Sequence, residues 1–174
     1  MKSVKSIKVV LDSDVIIHFI KGDCLALLPT ILPAYDFILL DIVYEKELAM
    51  SHRVIIENIV TLLKTITIEK WSPTGHERRE FIALQKQYGL GESASMAYCK
   101  YNNNVLASSN LKDIEKYCEM NKITYFTTMD FLYQAMTTGV MTEEECDSFI
   151  AKVTSMNSKL PVVCMKDFKP RLRL

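Results

Sequence analysis

The chain of 174 residues is long enough for one domain with a buried core and too short for two ordinary domains. Its 21 basic and 21 acidic side chains give a formal net charge of zero, which excludes attraction to nucleic acid or anionic membranes through overall charge. The five cysteines have no close pair and no apolar stretch approaches the ~20 residues of a membrane helix, so we expect a cytoplasmic protein without disulfides, zinc or membrane contact.

Apolar runs separated by turn residues predict strands that alternate with helices along the chain. The first strand ends at Leu11, and the later strands are predicted over 37–40, 66–68, 105–107 and 123–126. In the first half of the chain, helices are predicted over 15–20, from Asp23 as a cap toward Pro33, after Asp41 up to a polar break at 51–53, and from that break to 63. In the second half, helices are predicted over 76–88, from Glu92 onward, over 111–121, from Met129 onward, and after a capping box of Thr142 and Glu145. This alternation predicts an α/β fold, with a mostly parallel central sheet between helical layers.

The predicted domain covers residues 1–155. Residues 156–174 are expected to form a C-terminal extension that packs on this domain or trails from it. The basic run 166–174 lies in that extension. It is either a solvated tail or a contact for nucleic acid or a protein partner.

The run from Val9 to Ile17 is the most informative stretch, because Asp12 and Asp14 interrupt an otherwise apolar segment. Ligands of open α/β sheets bind beyond the carboxyl ends of the strands, where Asp12 is expected to lie. A buried carboxylate there needs a hydrogen-bond donor, a cation or a metal. Capping of the next helix by Asp12, Ser13 or Asp14 is the alternative.

Other acids are expected to reach the same edge of the sheet. Asn110 and Asp113 follow the strand 105–107, and Glu92 lies at a helix start. Close carboxylates repel by about 4 kcal/mol per pair at an intermediate dielectric, which favours a bound cation, and oxygen ligands favour Mg²⁺ or Mn²⁺. Such an ion orients a phosphodiester and activates water, so metal-assisted phosphodiester hydrolysis is the predicted reaction. The three histidines are expected to be surface or core residues away from these acids.

The opening VVLDSDVIIHFIKG resembles the start of PIN domains, the ribonuclease fold of many bacterial toxin–antitoxin toxins, whose first strand ends in a metal-binding Asp. The segment GLGESASMAYCKYNNNVLASSNLKDIEKYCEMNKITYFTTMDFLYQAMTTGVM is similar to the second half of that fold, where a Gly-rich turn delivers a Glu at a helix start. The resemblance implies a PIN-like three-layer α/β/α sandwich and an Mg²⁺- or Mn²⁺-dependent endoribonuclease. It also implies an RNA substrate, a protein antitoxin partner and a homodimer.

The resemblance also implies roles for individual residues. Asp12 takes the place of the family's first acid, and Glu92 that of its helix-start acid. Glu47 fits the acid on the helix after the second strand, with Glu45 as a close alternative. The candidate catalytic residues are Asp12, Glu47, Glu92 and Asp113.

Asn110 stands where the family usually has Asp, and Asp113 lies one helical turn further on. Asp14 is a candidate to restore the missing charge. The candidate metal ligands are Asp12, Glu92, Asn110 and Asp113. The residues expected to position substrate or water are Ser13, Asp14, Ser109 and Asn110.

Two other functions stay open at this point. Because Asn110 removes a negative charge, the chain is alternatively a catalytically weak or inactive PIN-fold binding protein. Asp12 and Asp14 also resemble the nucleophile motif of haloacid-dehalogenase-type phosphatases, in which the first Asp attacks phosphate and the second acts as acid or base. That family needs a late pair of acids, whereas the turn 127–130 supplies only Asp130.

Overall fold

The computed structural model describes residues 6–170 and contains a five-stranded sheet in which all neighbouring strands are parallel. The sheet order is β3-β2-β1-β4-β5. The strands are β1 (Lys8–Leu11), β2 (Asp36–Leu40), β3 (Ile66–Glu69), β4 (Val105–Ala107) and β5 (Tyr125–Phe126). The predicted α/β class with a parallel sheet is therefore confirmed.

Helices flank the sheet, in agreement with a three-layer sandwich. They are α1 (Ser13–Lys21), α2 (Leu28–Ile31), α3 (Asp41–Lys46), α4 (Met50–Asn58), α5 (Gly75–Leu84), α6 (Leu90–Asn102), α7 (Leu111–Asn121), α8 (Thr128–Thr137) and α9 (Glu143–Ser155). A π-helical turn, Ile59–Leu63, follows α4. None of the helices within residues 6–170 combines the length and hydrophobicity needed to cross a bilayer.

The central strands are apolar on both faces, which explains their continuous rather than alternating hydrophobic pattern. Val9, Val10 and Leu11 of β1 are fully buried, as are Leu39 and Leu40 of β2. Burial on both faces requires helices on each side, and the βαβ crossovers supply them.

Two predicted helix boundaries are wrong. Asp23 does not cap a helix, because its backbone is left-handed with φ 56° and its carboxylate pairs with Lys152. A 3₁₀ turn, Leu25–Leu27, starts there instead. The expected polar break at 51–53 lies inside α4, where burial of Ile56 holds the helix against the core.

Two other helices differ from prediction at one end. The helix expected over 76–88 ends at Leu84, since the chain then turns before α6. Glu92 is the third residue of α6 rather than its first, because Gly89 is the N-cap and Leu90 the first helical residue.

The C-terminal segment packs on the domain as far as it is described. The N–H of Met165 donates to Asp147 Oδ1 at 2.7 Å, and the Met165 side chain is buried. The Phe168 ring lies 6.3 Å from the ring of Tyr133. The end of the predicted basic run, residues 171–174, lies outside the described residues.

Candidate functional site

The strand order creates a switch point beside β1. The chain moves from β1 to β2 on one side, whereas β4 lies on the other side. Crevices at the carboxyl ends of strands form at such points in open α/β sheets. Asp12 lies there directly after β1, and its N–H donates to Ala107 O at the end of β4 at 2.9 Å. The candidate site therefore lies where parallel sheets usually bind ligands.

Asp12 is the most buried acid of this site. Its side chain is 2% exposed and caps α1 by accepting a hydrogen bond from Ser13 N at 2.9 Å. Burial raises the pKa of Asp12 well above its usual range, and the nearby charges of Asp14, Glu47 and Glu92 raise it further. Asp12 therefore both caps α1 and belongs to an acidic cluster.

Asp14 connects α1 to the loop that follows β4. Its Oδ1 accepts from Val15 N at 2.6 Å and its Oδ2 from Ser109 N at 2.7 Å. Burial raises the pKa of Asp14 to about 6, although the hydrogen bonds from Ser109 and Val15 oppose that rise. Asp14 thus holds the loop that carries Ser109 and Asn110 against the end of β1.

Glu47, rather than Glu45, reaches the site. Its Oε2 accepts from Ser13 Oγ at 2.9 Å, and its Oε1 accepts from Gly91 N at 2.6 Å, whereas Glu45 is exposed to solvent. A Cβ atom at Gly91 would lie only 2.3 Å from Glu47 Oε2. The approach of Glu47 to α6 therefore requires glycine at position 91.

Asn110 bridges two acids. Its Nδ2 donates to Glu92 Oε1 and, at 2.7 Å, to Asp113 Oδ2. The other oxygen of Glu92 accepts from Gly89 N at 3.3 Å. Burial raises the pKa of Glu92 while the Asn110 amide lowers it and Asp113 raises it. The structure thus brings Glu92, Asn110 and Asp113 together as predicted, with the amide acting as a donor.

The acidic cluster formed by Asp12, Asp14, Glu47, Glu92 and Asp113 lacks a cationic partner within residues 6–170. The salt bridges of the described residues are Lys8–Glu69, Lys100–Glu80 and Lys152–Asp23. Oxygen donors with uncompensated negative charge are the chemistry that Mg²⁺ or Mn²⁺ prefers. Over the same residues, however, no three His, Cys, Asp or Glu side chains are grouped as a metal site. The cluster fits a divalent ion in charge and donor type, and its side chains would have to turn to ligate one.

His18 is a core residue, as expected, and two hydroxyl groups connect it to the loop after β4. It is buried, its Nδ1 lies 2.8 Å from Thr128 Oγ1, and that hydroxyl lies 2.8 Å from Ser109 Oγ. Burial lowers the pKa of His18 to about 4, with a smaller contribution from Lys21. The sequence signal for this position of His18 is its four-residue spacing from Asp14, which places both side chains on one face of α1.

Comparison with known proteins identifies no relative of this chain. No protein-family model matches the chain, and neither the curated proteins nor the solved structures yield a match. The fold and the site define the class as a parallel α/β protein with a cluster of carboxylates at its switch point. The PIN resemblance stays a prediction beyond that class.

Proposed function

We propose that the protein is a metal-dependent ribonuclease of the PIN type that hydrolyses RNA phosphodiester bonds. The observation that carries the proposal is the burial of Asp12 beside Asp14, Glu47 and Glu92, with no salt bridge to these acids among the described residues. Such an arrangement is costly for the free protein and is relieved by a bound cation. Energetically unfavourable charge of this kind is typical of functional sites.

Asp12 and Glu92, with Asp113 and the Asn110 side chain, are the residues that would hold Mg²⁺ or Mn²⁺. The ion supplies charge to stabilise a phosphate and lowers the pKa of water. Other residues of the chain hold parts of the acidic cluster in place for that chemistry.

Three hydrogen-bonding groups fix parts of the acidic cluster and of the loop beside it. Ser13 Oγ and Gly91 N hold the two oxygens of the Glu47 carboxylate. Asp14 fixes Ser109 and therefore the loop that carries Asn110. Because Glu47 and this loop are already held in place, these parts of the site lose little conformational entropy when substrate binds.

The role as a toxin, with a protein antitoxin and a homodimer as partners, rests on the PIN resemblance alone. We keep it as the biological setting of the proposed nuclease.

A second candidate is a binding protein without nuclease activity. Asn110 Nδ2 donates to both Glu92 and Asp113, so a neutral amide occupies the place between two acids where a cation would otherwise be needed. This amide bridge reduces the repulsion between Glu92 and Asp113 that a metal would otherwise relieve. It does not relieve the repulsion at Asp12, which lies outside the bridge.

The decisive experiment measures thermal unfolding with and without Mn²⁺, together with cleavage of a labelled single-stranded RNA. Asp12→Asn is compared with Asp36→Asn, which removes an exposed acid at the start of β2. For the wild type and Asp36→Asn, saturation at about 100 times Kd should add about 2.7 kcal/mol of stability, roughly 5–10 °C in Tm. Asp12→Asn should lose both this shift and RNA cleavage.

Each alternative has its own outcome. RNA binding without an Mn²⁺ shift or cleavage favours the binding protein. Hydrolysis of p-nitrophenyl phosphate that Asp12→Asn abolishes favours the phosphatase. A nuclease activity that Asp12→Asn leaves intact rejects the proposed site.

A further inference from the structure

A surface groove begins beside the acidic cluster and is bordered on its far side by the C-terminal segment. Its volume is about 450 Å³, and its lining joins the loop after β4 to residues 159–169. Ser109 belongs to both regions, because it lines the groove and its N–H donates to Asp14. The groove is therefore continuous with the candidate site.

The groove is apolar inside and basic at its rim. The apolar residues of the lining are Leu111, Met129, Leu160, Pro161, Val162 and Phe168. Lys159 and Lys169 are exposed at the groove, and Asp167 is the single acid of the lining. The Asp167 carboxylate accepts a hydrogen bond from Cys164 Sγ at 3.3 Å. The groove thus carries net positive charge next to the acidic cluster.

The wall formed by the C-terminal segment is anchored to the domain. Lys21 Nζ donates to Met156 O and to Ser158 Oγ, both at 2.8 Å, and Met165 N donates to Asp147. These contacts lie on both sides of residues 159–162, and the ring contact of Phe168 with Tyr133 holds the second part of the lining. The groove is therefore present before any ligand arrives, which lowers the entropic cost of binding.

We propose that this groove binds single-stranded RNA adjacent to the bond that the acidic cluster cleaves; the inference rests on the proposed function. An unpaired nucleotide combines an apolar base face with a charged phosphate, which matches an apolar lining with lysines at its rim. The volume is in the range of small-ligand pockets and suits a single nucleotide. In a duplex the base faces are stacked, so they do not reach such a lining.

The charge of the whole chain makes this local pair of lysines important. With a net charge of zero, the protein gains no general attraction to RNA, so binding depends on specific cationic positions. Lys159 and Lys169 supply such positions on the groove. They would draw the RNA backbone across the groove and toward the acidic cluster.

The test uses fluorescence anisotropy of a labelled oligouridylate with the full chain in EDTA, so that binding is measured without cleavage. Lys159→Glu combined with Lys169→Glu should weaken binding about tenfold or more and make its salt dependence shallower by roughly 1–1.5 in the log–log slope. Phe168→Leu should weaken binding about fivefold through loss of stacking. The matched control combines Lys116→Glu with Lys166→Glu, which reverses two exposed lysines outside the lining.

Thermal unfolding must show that all variants stay folded. The inference is overturned if the wild type does not bind the RNA, or if the groove variant and its control weaken binding equally. Cleavage in Mn²⁺ then separates the two proposals. Groove-dependent binding without any cleavage keeps the groove and rejects the nuclease, whereas cleavage unaffected by the groove variant keeps the nuclease and rejects the groove.

Discussion

The contact between Glu47 and Gly91 gives the sharpest test of how the acidic cluster is built. In Gly91→Ala, the new Cβ would lie 2.3 Å from Glu47 Oε2 and 2.6 Å from Oε1, where ordinary contact begins at 3.4 Å. The carboxylate must therefore retreat by about 1 Å, which breaks its 2.6 Å hydrogen bond from Gly91 N.

The expected free-energy change has two parts of opposite sign. Loss of a hydrogen bond to a charged group costs about 1.5–3 kcal/mol. Alanine in a helix is favoured over glycine by about 1 kcal/mol. Gly91→Ala should therefore destabilise the protein by about 0.5–2 kcal/mol, which lowers Tm by roughly 1–8 °C for a chain of this size.

A double-mutant cycle with Glu47→Ala isolates the contact. In that background the Cβ meets no carboxylate, so Gly91→Ala should become neutral or stabilising by up to about 1 kcal/mol. The control is Gly89→Ala, whose Cβ lies at ordinary distances of 3.6 Å from Glu92 and 3.9 Å from Glu47 and should show no coupling. An equal Tm change for Gly91→Ala in both backgrounds would refute the proposed contact.

Three further variants test the charges and the buried histidine. Burial raises the pKa of Asp14 from 3.8 to about 6, so the charged carboxylate destabilises the metal-free fold at pH 7. Asp14→Asn should therefore stabilise the metal-free protein at pH 7 by about 1 kcal/mol, after the loss of one hydrogen bond is subtracted. Calorimetry should show this gain shrinking as the pH falls from 7 to 4. Burial and Lys21 lower the pKa of His18 from 6.5 to about 4, so protonation of His18 favours the unfolded chain. Between pH 7 and pH 4, the free energy of unfolding of the wild type, measured in urea, should fall by about 2–3 kcal/mol relative to that of His18→Asn. An equal pH dependence of the two proteins would contradict this. Asn110→Asp should lower Tm in EDTA and tighten Mn²⁺ binding about tenfold by titration calorimetry, whereas unchanged affinity would remove Asn110 from the metal site.

The sequence predicts which residues lie beyond the strand ends, because a parallel sheet places the carboxyl ends of its strands on one edge by topology alone. Asp12 after β1 and Asn110 after β4 follow from that rule without any knowledge of side-chain packing. The same rule does not distinguish Glu45 from Glu47. That choice depends on α3 ending at Lys46 and on the contact of Glu47 with Gly91, which lies 44 positions away.

The parts that sequence reasoning missed depend on long-range packing or on side-chain rotation. His18 contacts Thr128 across 110 positions, so no local pattern connects the two. The role of Asn110 was predicted as a metal ligand through its oxygen, whereas its nitrogen donates to Glu92 and Asp113 in the structure. A rotation of the amide exchanges these roles, and a sequence contains no information about that rotation.

Although the net charge of the chain is zero, an acidic cluster lies beside a groove that carries two exposed lysines, and this separation matters for the proposed chemistry. The acidic cluster repels a phosphate backbone when no cation is bound, so RNA cannot be held at the cluster itself. Lys159 and Lys169 lie on the adjacent groove, where they can retain the backbone beside the acids. Binding of RNA and binding of metal should therefore be separable: removal of the metal should abolish cleavage while leaving most of the affinity for single-stranded RNA in place.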